Sequence, residues 1–259
     1  MEVHSHTHTE SLPAGKAGKR LKHYLFEFFM LFLAVTLGFF VENQREQFVE
    51  HHRETRYMQN LLQDLSRDTV AMQSQSVFQK RAVVFADSLV DALNSADRNK
   101  YSQNIYYYAR ILTIYNPFFY SNATINQLKS SGSLRLIRKE FIADSIVQYD
   151  IWSQRLLAVE ENIKEVIQEF RNNMGNILNA AAIKSMIDTA RLGGTFGAFI
   201  KRPDFPVPPV TNDEKSINQL CTNADFLLTL YQYQFKVMNI QKARANRLIE
   251  LLKKEYHLK

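Results

Sequence analysis

From Tyr24 to Val41 the chain reads YLFEFFMLFLAVTLGFFV, 18 residues in which Glu27 is the only charge. A helix in the core of a soluble domain shows a polar face as it turns toward water, and this segment does not. Counted from Leu21, it gives roughly 31 Å of helix at ~1.5 Å per residue, enough for a ~30 Å hydrocarbon core. Residues 20–41 therefore read as a single transmembrane helix near the N-terminus. A cleaved signal peptide would have an apolar region of only ~7–15 residues and a small-residue cleavage site. Ala34-Val35-Thr36 and Thr36-Leu37-Gly38 are poor matches to such a site, which favours an uncleaved anchor.

Orientation follows from the flanking cations. Lys16, Lys19, Arg20 and Lys22 crowd the N-terminal side, close to the span. Arg45, Arg53 and Arg56 lie on the other side, interleaved with four glutamates that count little in this rule. The four-to-three bias predicts a cytoplasmic N-terminus and residues 42–259 outside the cytoplasm.

Gly and Pro punctuate the chain sparsely. Between Lys19 and Asn116 only Gly38 occurs, and residues 133–174 and 210–259 contain neither type. Four of the six prolines fall between Pro203 and Pro209. Such spacing predicts long helices with few breaks. Residues 1–19 are polar and low in complexity and are expected to be a disordered cytoplasmic tail. A first helix is expected from Arg20 to about Asn94, with Met58, Leu61, Leu62, Leu65, Met72, Val83, Phe85 and Leu89 at three-and-four spacing. Shorter helices follow over 101–115 and from Ser121 or Asn122 to a C-terminal glycine at Gly132. Helices near 137–150 and 151–178 come next, as two pieces or one bent rod. An irregular loop over 175–211, with a short helix at 180–190, precedes a helix pair over 212–256. The fold class is all-α: one transmembrane helix continuing into an extracytoplasmic bundle, residues 42–259.

The segment KHYLFEFFMLFLAVTLGFFVENQRE, with NQLKSSGSLRLIRKEFIADSIVQYD further on, resembles a family of bacterial single-span inner-membrane proteins of unknown function. The shared features fall on Glu27 near the start of the span, Gly38 within it, Glu42-Asn43 at its exit, and Leu128 to Ile137 in the outer domain. The resemblance implies this topology and an inner-membrane location, and supplies no activity.

Composition narrows the function classes. A single cysteine, Cys221, excludes an intramolecular disulfide framework and any multi-cysteine zinc site. Net charge +6 is mild, and without a clustered basic patch no nucleic-acid partner is expected. The histidines are His4, His6, His8, His23, His51, His52 and His257, so Arg53 to Tyr256 holds no imidazole for a triad or metal cage. His4, His6 and His8 could bind a transition metal weakly, but a disordered polar tail is the simpler reading. No P-loop, H-E-x-x-H or G-x-S-x-G occurs, and the glycines of RLGGTFGAF do not follow a strand. No catalytic, cofactor or metal residues are assigned. A pair of carboxylates could still hydrolyse a glycoside, but no pair stands out.

Two further features each carry a functional and a plain reading. The aromatic run Tyr101, Tyr106, Tyr107, Tyr108, Tyr115, Phe118, Phe119, Tyr120 could face a sugar or a membrane, but core plus amphipathic rim is simpler, with at least one of Tyr106–Tyr108 exposed. RPDFPVPPV, 202–210, could dock a partner as polyproline II or serve as a stiff connector.

Glu27 is the residue with the most to explain. A charge near hydrocarbon is costly unless it snorkels or finds a partner. At 100° per residue, Glu27, Ala34 and Gly38 fall within about 20° of one stripe. Ala34 and Gly38 form a small-x-x-x-small pair that permits close helix approach. The stripe is thus a candidate assembly face, for a second copy or another membrane-protein subunit; the plain reading is a lipid-exposed anchor with Glu27 reaching toward the headgroups. The preferred function is an accessory or scaffold subunit of an envelope complex, in contact with lipid and protein. A ligand-sensing receptor lacking its own output domain, and an envelope enzyme, are the alternatives.

Overall fold

The computed structural model describes residues 14–191, 197–204, 207–208 and 210–258, with side chains from Leu21 onward. Among these residues the fold is all-helical: α1 (Ala14–Asn94), α2 (Ser102–Leu112), α3 (Ala123–Ser130), α4 (Glu140–Met174), α5 (Ala180–Ser185) and α6 (Glu214–Tyr256), with three short 3-10 turns between them. The sole β element described is an isolated bridge between Ile187 and Ile200. The chain divides into two compact units, residues 1–54 and 55–259.

α1 starts six residues before the expected Arg20, so residues 14–19 are helical. The rest of the tail expected to be disordered, 1–13 with His4, His6 and His8, lies outside the described residues. The expected end at Asn94 matches. The two pieces near 137–150 and 151–178 are a single helix, α4, and the pair over 212–256 is a single helix, α6. With no Gly or Pro to interrupt them, nothing local stops either one.

The second unit is built on three seams. In α1, Met58, Leu61, Leu65, Asp68, Met72, Gln75, Gln79, Ala82, Ala86, Leu89 and Leu93 alternate strictly by three and four residues, and all are buried. The same alternation carries α4 from Ile142 to Met174 and α6 from Ile217 to Leu252. A heptad spacing keeps one stripe facing its neighbours along a long rod, which is why these helices pack lengthwise. Partners rise along α4 as they fall along α6: Lys139 with Glu255, Tyr149 with Gln241, Glu160 with Gln234, Asn173 with Asn223. α1 also runs antiparallel to α6, with Lys242 donating to Gln73 and Phe78 edge-on to Tyr231 at 6.0 Å. The segment between α1 and α4 brings the chain back so that these two helices run in the same direction.

The helix ends are closed by identifiable groups. Asp213 caps α6 by accepting from the Lys215 and Ser216 N–H groups, and Asn179 does the same for α5 with Ala181 and Ala182. Gly132 takes φ +66° after α3, the left-handed conformation expected of a C-terminal glycine. The described residues of the 175–211 segment hold α5, inside the short helix expected over 180–190, a 3-10 turn at Thr189–Arg191 and the Ile187–Ile200 bridge.

The apolar core falls into two clusters. One gathers Ala82–Leu93, α2, the second half of α4 and the first half of α6; the other gathers Met58–Met72, α3, the first half of α4 and the end of α6. Gln75, Ser76 and Gln79 of α1, Glu160 of α4 and Gln234 of α6 lie between them, all buried.

Candidate functional site

In the first unit, every residue from Leu21 to Val49 is exposed. Fifteen large apolar side chains between Leu21 and Val41 have no protein cover. A soluble surface rarely exposes a contiguous apolar patch beyond a few hundred Å². At ~1.5 kcal/mol or more for each covered side chain, placing this segment in hydrocarbon gains on the order of 20 kcal/mol. The backbone is satisfied internally by the helix, as a bilayer requires, and the Thr36 hydroxyl donates to the Phe32 carbonyl at 2.8 Å rather than standing unpaired. It is also the one described helix long and apolar enough to cross a membrane. The chain is a membrane-associated helical-bundle protein.

The residues predicted from sequence fall as follows. Glu27, Ala34 and Gly38 are all exposed, and a Cβ added at Gly38 would meet no atom within 4 Å. Lys16, Lys19 and Arg20 lie on the first turns of α1, and Lys22 is exposed. Beyond the apolar segment, Glu42 and Arg45 form an exposed ion pair at 2.6 Å.

The second unit holds a constellation that sequence reading missed: four buried acids that clasp the segment joining α2 to α3. Asp68 accepts from the Ser121 N–H at 2.9 Å and the Tyr149 hydroxyl at 2.7 Å. Asp64 accepts from the Thr124 N–H at 3.2 Å and from Arg67 at 3.3 Å. Glu160 accepts from the Phe118 N–H at 2.8 Å and from Gln234 at 3.1 Å. Asp150 accepts from the Tyr120 hydroxyl at 3.1 Å and pairs with Lys129. Gln75 and Asn116 bond reciprocally, and Arg171 donates to the Thr113 carbonyl. Residues 113–122 have little regular structure and the first N–H groups of α3 lack intrahelical acceptors, so these buried backbone groups need side-chain partners.

Burial shifts Asp68, Glu160, Tyr149 and Tyr120. It raises Asp68, against the stabilising Tyr149 and Ser121 hydrogen bonds. It raises Glu160 to about 7, against the Phe118 N–H and Gln234. It also pushes the Tyr149 and Tyr120 hydroxyls well up, helped by the carboxylates of Asp68 and Asp150 beside them. These phenols therefore stay protonated and act as donors. The arrangement's evident chemistry is to fasten a connector onto two helices, α1 and α4. Among the described residues no group of three or more His, Cys, Asp or Glu side chains is placed to hold a metal ion.

The aromatic run resolves mostly into core and rim. Tyr106 is fully buried and its hydroxyl accepts from the Asn179 N–H at 2.9 Å. Three consecutive tyrosines predict at least one exposed ring; Tyr107 and Tyr108 are instead both half-buried. Phe85 packs against both, and the Arg202 guanidinium stands 4.3 Å and 5.5 Å from their rings. Of the proline-rich strip, Phe205, Pro206 and Pro209 lie outside the described residues, as do Gly193 and Gly194.

Comparison with protein-family models, with curated proteins and with solved structures finds no match to this chain. Of the resemblance drawn from sequence, the structure carries the coarse part: one long N-terminal apolar helix followed by a helical bundle domain.

Proposed function

We propose that this protein is an accessory or scaffold subunit of a bacterial envelope complex, acting by binding rather than catalysis. In this reading α1 crosses the inner membrane with its N-terminus in the cytoplasm, and residues 42–259 form the periplasmic domain. The partner, a second copy or another membrane protein, meets the stripe Glu27, Ala34, Gly38. One observation carries the reading: the apolar segment is wholly exposed, and its only acid shares a stripe with two small residues. Open space over Gly38 lets another backbone approach, and Glu27 can then accept a hydrogen bond from the neighbouring helix instead of facing hydrocarbon. The commitment of Asp64, Asp68, Asp150 and Glu160 to holding the α2–α3 connector supports a binding role over a catalytic one.

Single cysteines placed at each position of the span, in a Cys221→Ser background and native membranes, test this. Crosslinks should peak at 27, 34 and 38, and their mass should distinguish a second copy from another protein. Gly38→Leu should reduce association more than Val35→Leu. Crosslinking spread evenly around the helix would reduce the span to an anchor.

A further inference from the structure

Trp152, the only tryptophan in the chain, has two guanidiniums near its ring: Arg244 at 4.1 Å and Arg155 at 5.0 Å. Arg155 is further engaged by the Tyr233 hydroxyl at 3.4 Å. Arg244 is not so engaged. Its Nη1 is buried and has no hydrogen-bond partner among the described residues. Arg247, one turn on, is exposed, and no ion pair is described for it. Burial and the neighbouring Arg247 hold the Arg244 guanidinium below its usual range, which marks uncompensated positive charge.

These two arginines line a groove of about 400 Å³ between α4 and α6. Leu248, Leu251 and the Tyr149 ring supply apolar surface, Ser145 and Gln148 add polar groups from α4, and the exposed Asp144 is the one carboxylate that lines it. Two cations with a single acid, beside an apolar floor, leave a net positive mouth over a greasy base. That combination suits a ligand with a charged head and a short tail, since guanidiniums bind carboxylate and phosphate through paired N–H donors. The volume falls within the ~300–1,000 Å³ of ordinary small-molecule sites.

We propose that the α4–α6 groove binds a small amphiphilic oxyanion, a carboxylate or phosphate monoester with a short apolar tail, whose head meets Arg244 and Arg247 and whose tail lies on Leu248 and Leu251. Binding draws Arg244 toward the head group and alters its stacking on Trp152. The site does not depend on the scaffold reading, and either can fail without the other.

Trp152 is its own reporter. The full chain in an uncharged maltoside detergent is titrated with hexanoate and butyl phosphate, against acetate, inorganic phosphate and hexylammonium. The tailed anions should change the Trp152 emission saturably. Acetate and phosphate should need at least tenfold higher concentration, and hexylammonium should give no saturable change. Comparing hexanoate with butyl phosphate shows which head is preferred. Arg247→Gln, an exposed substitution that leaves the Arg244–Trp152 stack in place, should weaken both by tenfold or more, and Arg247→Lys by less. The absence of a saturable response, equal potency of acetate and hexanoate, or an Arg247→Gln chain that binds as well as the parent would each overturn the proposal.

Discussion

Asp68 and Glu160 occupy seam positions where leucine or isoleucine would ordinarily sit, and their burial is tolerated because a backbone N–H and a side-chain donor point at each of them. Glu160 makes the consequence measurable. Its folded-state value is raised from 4.5 to about 7. Between those two pH values the folded chain binds more protons than the unfolded chain, so this residue's contribution to stability is greatest at the acid end and declines as pH rises. The raised Asp68 acts in the same direction from lower pH. Thermal unfolding of the parent should therefore contain a component that weakens from about pH 4.5 to pH 7. Glu160→Gln keeps an acceptor for the Phe118 N–H but cannot titrate, and should flatten that component. An unchanged pH profile would show that Glu160 does not titrate there. Asp68→Ala strands the Ser121 N–H and the Tyr149 hydroxyl, so urea unfolding should show a loss of about 2–4 kcal/mol, with Asp68→Asn losing less. These acids were hidden in sequence for a physical reason. Searching for apolar residues in α1 finds Leu61, Leu65 and Met72 and passes over Asp68, Gln75 and Gln79, which continue the same stripe. A buried acid becomes recognisable only when its donor is known, and here the donors come from the connector, about 40 to 60 residues away in sequence.

At the scale of helices, the long elements were legible and the short ones less so. α1, α4 and α6 follow from unbroken three-and-four spacing and the lack of Gly and Pro, which is local information. Asn94 and Gly132 were readable as stops because their chemistry is also local. The division of 212–256 into a pair was not warranted, since the α6 seam runs without a phase change from Ile217 to Leu252. The order within 175–211 depends on long-range contacts such as Tyr106 with Asn179, which no pattern along the chain displays. The seam makes a sharp prediction about helix phase. Leu61→Ala, at a fully buried position, should cost about 2–5 kcal/mol in urea unfolding. Val70→Ala, on the exposed side of the same helix, should stay within about 0.5 kcal/mol. Comparable losses at both positions would show that this face of α1 is not the one the bundle covers.

For the molecule as a whole, each compact unit answers to a different solvent. The unit from Thr55 onward gathers most of its apolar residues into a core of its own. The unit ending at Glu54 does the reverse over Leu21–Val41, presenting apolar side chains around the whole helix. That contrast was readable from composition alone, because an 18-residue apolar run needs no tertiary partner to be recognised. The side of the membrane on which the bundle lies rests on Lys16, Lys19, Arg20 and Lys22 against Arg45, Arg53 and Arg56, a margin of one cation. A pair of reporters fused in turn after Lys259, one active only in the periplasm and one only in the cytoplasm, tests anchoring and orientation together. The periplasmic reporter should be active, the cytoplasmic one silent, and the fusion retained in the membrane fraction after an alkaline carbonate wash. An active cytoplasmic reporter, or a fusion released by the wash, would contradict this topology.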